Sequence, residues 1–250
     1  MDERSRVIRR RWLRLAIAGL TLGLLLALGA TAFAQTLGPF AGPIVVGLPK
    51  SNETAYEFVG RIDQDGANFV GYGYLTYIHG LTNAQLFSDP NPLTQNESSA
   101  YFTFYVTATL TSRQVISNVF VLGAQAPNVT VYFNSYPNGN FSNPTSFRQA
   151  GIPVARYAAR YQDILNVQSA SHGIATNVGE LIQQVANPFT LGTATYYLGQ
   201  PGVALREWFT GEGVRTNTVD PPQSFVVGAG NTVLTGMRAG FLPLATRSGP

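Results

Sequence analysis

Few side chains in this chain have the type and spacing to do chemistry. Asp63-Gln64-Asp65-Gly66 sets two carboxylates one residue apart ahead of a glycine, which is how a calcium loop begins. Such a loop needs further oxygen ligands at the following odd positions and a bidentate acid at its twelfth. Those positions hold Ala67, Phe69 and Gly71, and the twelfth is Tyr74, so the loop is excluded. Asp65-Gly66 instead reads as the tight turn of a hairpin, with "YEFVGRI" before it and "NFVGYGYL" after it.

The histidines are His79 and His172, and neither belongs to an H-x-H or H-E-x-x-H pattern, so no metal site is expected. Ser171 precedes His172 in "SASHG", but adjacent side chains of an extended chain point to opposite faces, so the pair is not read as a catalytic dyad. No G-x-S-x-G elbow occurs. The chain has no cysteine, which removes thiolate nucleophiles, zinc–cysteine sites and iron–sulfur centres.

Glu207 is the more informative acid. In "VALREWFTGEG" strand alternation puts it on the face of Val203, Leu205 and Phe209, while Arg206 and Trp208 take the other face. Either face can be the inner one. If the first is, a carboxylate sits on an apolar wall, which is costly unless it is paired or used. On that arrangement Glu207, with Tyr77 or His79, forms a small-ligand or acid–base site, and Trp208 and His172 complete the candidate ligand-binding set. In the other arrangement Glu207 faces solvent or forms a structural ion pair.

These residues must be positioned by strands. "AYFTFYVTATL" alternates Phe102, Phe104, Val106, Ala108 and Leu110 with Tyr101, Thr103, Tyr105, Thr107 and Thr109, the pattern of a half-buried antiparallel strand. "VISNVFVL" and "VTVYF" keep the β-branched and aromatic bias. "PVARYAARYQDILNV" fits a helix or a strand and is assigned as a strand from its context. "VGELIQQVA" (178–186) spaces Val178, Leu181, Ile182 and Val185 like a short amphipathic helix. "GTATYYLGQPGVALREWFTGEG" reads as a hairpin turning at Gly199-Gln200-Pro201-Gly202. After the Asp65-Gly66 turn, Gly71 and Gly73 share a face with Phe69, Leu75, Tyr77 and His79, as in a strand that bends strongly. Long polar connections cover 88–99 and 134–147. The expected fold is all-β, a single antiparallel β-sandwich or β-barrel with at most one or two short helices.

The N-terminal 34 residues read as an export signal. A basic region ending at Arg14 precedes an uncharged run from Leu15, and Ala32-Phe33-Ala34 fits a cleavage site that leaves Gln35 first. Arg9-Arg10-Arg11-Trp12-Leu13-Arg14 resembles the twin-arginine export motif, with Ile8 where that motif usually has serine. The resemblance implies a bacterial source and export in the folded state. The alternatives are an Arg-rich general-secretion signal and an uncleaved anchor, since a run of about 20 apolar residues spans a bilayer.

Six of the 16 basic residues and two of the 13 acidic ones fall within residues 1–34, which leaves ten basic and eleven acidic residues in the rest. A body this close to neutral lacks the basic footprint of a nucleic-acid binder, and no nucleic-acid partner is expected. The organisation expected is a signal over 1–34, a Gly/Pro-rich lead over 35–54, one β domain over 55–240 and a tail over 241–250. Such a protein is expected to be exported and to need no cofactor, and its membrane contact is limited to the signal segment if that is uncleaved. Binding of a small apolar or sugar-like molecule is the leading role, ahead of a structural part in the cell envelope and of acid–base catalysis through an inward carboxylate, in which Glu207, Asp163 and one histidine would act.

Overall fold

The structure is a computed structural model, and it describes residues 42–217 and 223–237. The expected export signal, the twin-arginine resemblance and the C-terminal tail lie outside the described residues. Eleven strands and two four-residue helices follow one another as β1 (Ile44–Val46), β2 (Thr54–Asp65), β3 (Asn68–Ile78), α1 (Asn83–Leu86), β4 (Phe102–Ile116), β5 (Val119–Phe133), α2 (Ser146–Gln149), β6 (Ile152–Val167), β7 (His172–Ala186), β8 (Pro188–Leu191), β9 (Ala194–Leu198), β10 (Val203–Arg215) and β11 (Gln223–Met237).

Eight strands close into an antiparallel barrel in the order β10-β11-β2-β3-β4-β5-β6-β7, with β7 pairing back onto β10. Closure leaves this sheet without an edge, and eight strands enclose an interior that side chains can fill. Of the alternatives open to the sequence, the barrel is the one formed. Strands adjacent in the barrel are mostly adjacent in the chain, so connections alternate between its two ends. The turns after β2, β4 and β6 and the end of β10 gather at one end. The long connections after β3, β5 and β7 gather at the other.

The sequence sets these turns locally. The β2–β3 turn is Gly66-Ala67, with Gly66 at φ 60° and Asp65 remaining in the strand. A positive φ at the first central position alone is the type II′ geometry that suits a twisted hairpin, and it is why glycine stands there. Ser117 does the same at the β4–β5 turn, with φ 56°. Asp63 is held outside the barrel, where its carboxylate accepts from Arg61 Nε at 2.7 Å and from Tyr72 Oη at 2.7 Å.

Three sequence expectations need correction. Residues 178–186 form part of β7 rather than a helix, because Gly179, Leu181 and Gln183 face inward while Val178, Glu180 and Ile182 face out. Ladder partners on both sides override the short helical spacing. The 192–213 hairpin does not form: β9 pairs with β8 and with β1 in a separate three-stranded sheet, while β10 joins the barrel. Gly199-Gln200-Pro201-Gly202 therefore links two sheets. Third, Tyr77 does not share the face of Gly71, Gly73 and Leu75. Phe58 pairs with Leu75 but Glu57 pairs with Tyr77, so Thr76 is an extra residue, a bulge that reverses the alternation.

The three-stranded sheet packs across the end with the long connections. Val46, Phe189, Tyr196 and Leu198 join the barrel core there, and Phe189 meets Phe102 and Phe133 at ring separations of 5.4 and 5.3 Å. Gln183, wholly buried, fastens the sheet to the barrel: its amide donates to the Leu198 carbonyl at 2.7 Å and accepts from Gln200 N–H at 3.1 Å. A second aromatic cluster lies outside the barrel, where Phe141 and Phe147 cover Tyr72 on the outer face of β3. The outer wall also carries Glu57, Arg156, Arg160, Glu180 and Arg206.

Candidate functional site

Glu207 faces into the barrel. Its cross-strand partners are Gly179 on β7 and Thr232 on β11, and the same inner row continues to Tyr161 on β6 and Tyr56 on β2. The next inner row toward the hairpin end runs from Asp163 through Asn177, Phe209, Gly230 and Phe58 to Leu75. Two carboxyl groups thus stand in neighbouring rows of one wall, with a phenol, an amide and a hydroxyl around them.

Gly179 makes the cluster possible. A Cβ placed there would stand 2.6 Å from Tyr161 Cε1 and 3.3 Å from Glu207 Cβ, so the glycine lets the ring and the acid close over β7. Below this row, Tyr56 Oη and Tyr157 Oη lie 3.1 Å apart in the sealed part of the core. From β2, Phe58 stacks on Phe209 of β10 at 6.1 Å and meets Phe104 of β4 edge-on at 5.5 Å.

The electrostatics are those of acids in a low-dielectric pocket. Burial pushes the Glu207 carboxyl up to about 8, and the neighbouring Asp163 charge adds to the shift. Burial raises Asp163 to about 6, opposed by the hydrogen bond that Asn177 Nδ2 donates to Asp163 Oδ1 at 2.5 Å. Tyr161 is raised well above a normal phenol, first by burial and then by the two carboxylates, so its hydroxyl stays protonated. At neutral pH Glu207 is mainly protonated and Asp163 mainly ionised.

Several polar atoms of the cluster are unsatisfied. Among the described residues Glu207 makes no hydrogen bond, and the buried Asn177 Oδ1 and Thr232 Oγ1 have no partner. Buried polar atoms are nearly always paired, so these two atoms beside an unpaired carboxyl mark the place where the fold departs from its own rule.

Solvent accessibility falls along the barrel from the hairpin end. On β4, Phe104, Val106, Ala108 and Leu110 keep accessible surface while Phe102 has none. On β6, Asp163, Leu165 and Val167 are accessible, but Tyr157 is sealed. Among the described residues, inward-facing side chains are thus more accessible toward the hairpin end than at the sheet-covered end. Four glycines in register, Gly73, Gly60, Gly228 and Gly211, strip side chains from the inner wall across four strands just above Phe209. The Phe104 ring rests over Gly60 and Gly73, whereas the nearest neighbours of Gly211 and Gly228 are cross-strand backbone atoms.

Of the five candidate residues read from the sequence, Glu207 alone is in this lumen. Tyr77, turned out by the Thr76 bulge, lies opposite the exposed Glu57, and its hydroxyl is 3.4 Å from His79 Nδ1 near the sheet-covered end. Trp208 is on the outer wall and 56% exposed. His172 is exposed at the hairpin end, where its Nδ1 lies 2.9 Å from Ser171 Oγ. The structure brings Asp163, Asn177, Tyr161 and Thr232 to Glu207 instead. Asp163 was legible in part, since the strand alternation of 153–167 places it on the face of Tyr157 and Tyr161. No group of three or more metal-ligating side chains occurs among the described residues.

Comparison with known proteins finds no matching family model, no matching curated protein and no matching solved structure.

Proposed function

We propose that this protein is an exported β-barrel that binds a small molecule in its lumen, with Glu207 and Asp163 holding the polar end and the Phe58, Phe104 and Phe209 rings the apolar remainder. The observation that carries the reading is Glu207 itself: a carboxyl group without a hydrogen bond among the described residues, beside a second acid, on the inner wall of a barrel whose inward side chains keep accessible surface toward the hairpin end. Folding bears the cost of burying such a group, and that cost is retained where the group is used. The export part rests on the signal-like residues 1–34 and, through them, on the expectation of a bacterial source.

Native mass spectrometry of the protein purified from its own host tests this reading. The expected result is a discrete bound mass that disappears in Glu207→Gln, with the mature chain starting at Gln35. A ligand-free polymeric species would overturn it in favour of a structural role in the cell envelope.

The same pair favours a second reading, acid–base catalysis, because an acid held protonated beside one held ionised is the arrangement that general acid–base chemistry uses. A bound mass recovered in chemically altered form after incubation, and unaltered with Glu207→Gln, would select it.

A further inference from the structure

We propose that the lumen site takes an organic cation, a protonated amine carried on a small apolar or aromatic body. The inference rests on the lumen being a binding site and names what it binds.

The unmet groups of the wall are mainly acceptors. Asn177 uses its amide N–H on Asp163 and leaves Oδ1 bare, the second Asp163 oxygen accepts no hydrogen bond, and neither Glu207 oxygen has a partner among the described residues. Asn177 and Thr232 are 6% and 3% exposed. An ammonium group brings three donors and a positive charge to this set, and it matches the set in both respects.

Among the described residues the inner row of Asp163 continues through Leu122 to Arg113 on β4, whose guanidinium lies over the Phe120 ring at 5.1 Å. Arg156, Arg160 and Arg206 belong to outward-facing rows, and Arg206 pairs there with Glu180 at 3.6 Å. Arg215 stands at the end of β10, eight residues beyond Glu207, and the histidines lie near the barrel ends outside the lumen. The groups that face Glu207 are Tyr161 and Asp163 from β6, Asn177 from β7 and Thr232 from β11. A carboxylate or phosphate ligand beside Glu207 would meet Asp163 with like charge.

The aromatic part of the wall excludes a ligand that is polar all round. Phe58, Leu75, Phe104 and Val106 and the glycines Gly60, Gly73 and Gly228 offer no side-chain hydrogen bond there, and the backbone N–H groups of these strands are committed to the barrel ladders. A sugar would leave hydroxyls unpaired on that side, at the full cost of their desolvation. The stacked Phe58 and Phe209 rings suit an apolar body and attract a cation through their faces.

Calorimetric titration of the purified mature protein at pH 7 with three matched probes decides between classes: 2-phenylethylamine, 2-phenylethanol and 3-phenylpropanoate. The amine is expected to bind at least about tenfold more tightly than the alcohol, equivalent to about 1.4 kcal/mol, and the carboxylate least of all. Glu207 is protonated before binding, so pairing with the ammonium ejects a proton, and the measured enthalpy should change with the ionisation enthalpy of the buffer. Asp163→Asn and Glu207→Gln should each weaken the amine about tenfold. The probe series on the unaltered protein decides the matter even if a variant fails to fold. If the alcohol or the carboxylate binds as tightly as the amine, the lumen remains a binding site and the cation assignment falls. If no probe binds, the host-derived ligand decides: an amine upholds the proposal, a neutral or anionic molecule overturns it, and the absence of any ligand removes the binding reading as well.

Discussion

Gly179 and Glu207 are cross-strand partners on the inner wall, and the bare Cα of the first is what lets the Tyr161 ring close against the stem of the second. The relation joins three strands, β6, β7 and β10, and it brings together residues distant in the chain. It also makes the cluster sensitive to a single methyl group. Gly179→Ala would put a Cβ at 2.6 and 2.8 Å from two ring carbons of Tyr161, with no backbone strain at this position. The expected loss is about 1–3 kcal/mol of stability, typical of overpacking. Urea unfolding measures it, and the smaller Tyr161→Leu in the same background should recover part of the loss by clearing the ring.

The two lumen acids make stability depend on pH. Both bind their proton more tightly in the folded state than in the unfolded chain, Glu207 at about 8 against 4.5 and Asp163 at about 6 against 3.8. Their contribution is therefore fully present below about pH 4, and it is lost as pH rises, through about 6 for Asp163 and about 8 for Glu207. Glu207→Gln removes the later part of this decline. The variant is expected to match the parent at pH 4 and to exceed it at pH 9 by about 1–3 kcal/mol, below the full linkage value because water reaches the lumen. Denaturant midpoints at pH 4, 7 and 9 give the comparison, and parallel curves for the two proteins would contradict the buried placement of Glu207.

Tyr56 and Tyr157 share one hydrogen bond in the sealed end of the core. Tyr56→Phe leaves the Tyr157 hydroxyl buried and alone, and should cost about 1–2 kcal/mol. The double change to phenylalanine removes both polar atoms and should restore most of that loss. A double-mutant cycle with additive losses would show that the two hydroxyls do not serve each other.

Gln183 ties the three-stranded sheet to the barrel through Leu198 and Gln200. Gln183→Leu keeps the volume but strands a buried carbonyl and an amide N–H. The expected cost is about 2–4 kcal/mol. Hydrogen exchange should speed first at Val46, Tyr197 and Leu198, since the end sheet is held by that side chain while the barrel ladders close on themselves. Uniform acceleration across the barrel would show that the tie is part of the global core instead.

What the sequence determined by itself is local. Alternation over 102–110 made β4, Gly66 made a turn, and the missing downstream oxygens ruled out an EF-hand loop at 63–74. Each of these needs only neighbouring residues, since side-chain period and turn dihedrals are set within a few peptide units. Glu207 could be placed on the face of Leu205 and Phe209, but alternation alone does not say which face is the inside. Closure of the barrel decides that, by pairing β10 with β7 and β11 so that Leu205, Glu207 and Phe209 point to the lumen. The tertiary structure likewise decided what period-two counting misread. One extra residue at Thr76 turned Tyr77 and His79 away from the lumen, and ladder partners on both sides turned 178–186 from a helical pattern into a strand. The union of Glu207 with Asp163, Asn177 and Thr232 has no signature in the spacing of the chain, because it depends on strand register, which is a property of paired strands and not of any one segment.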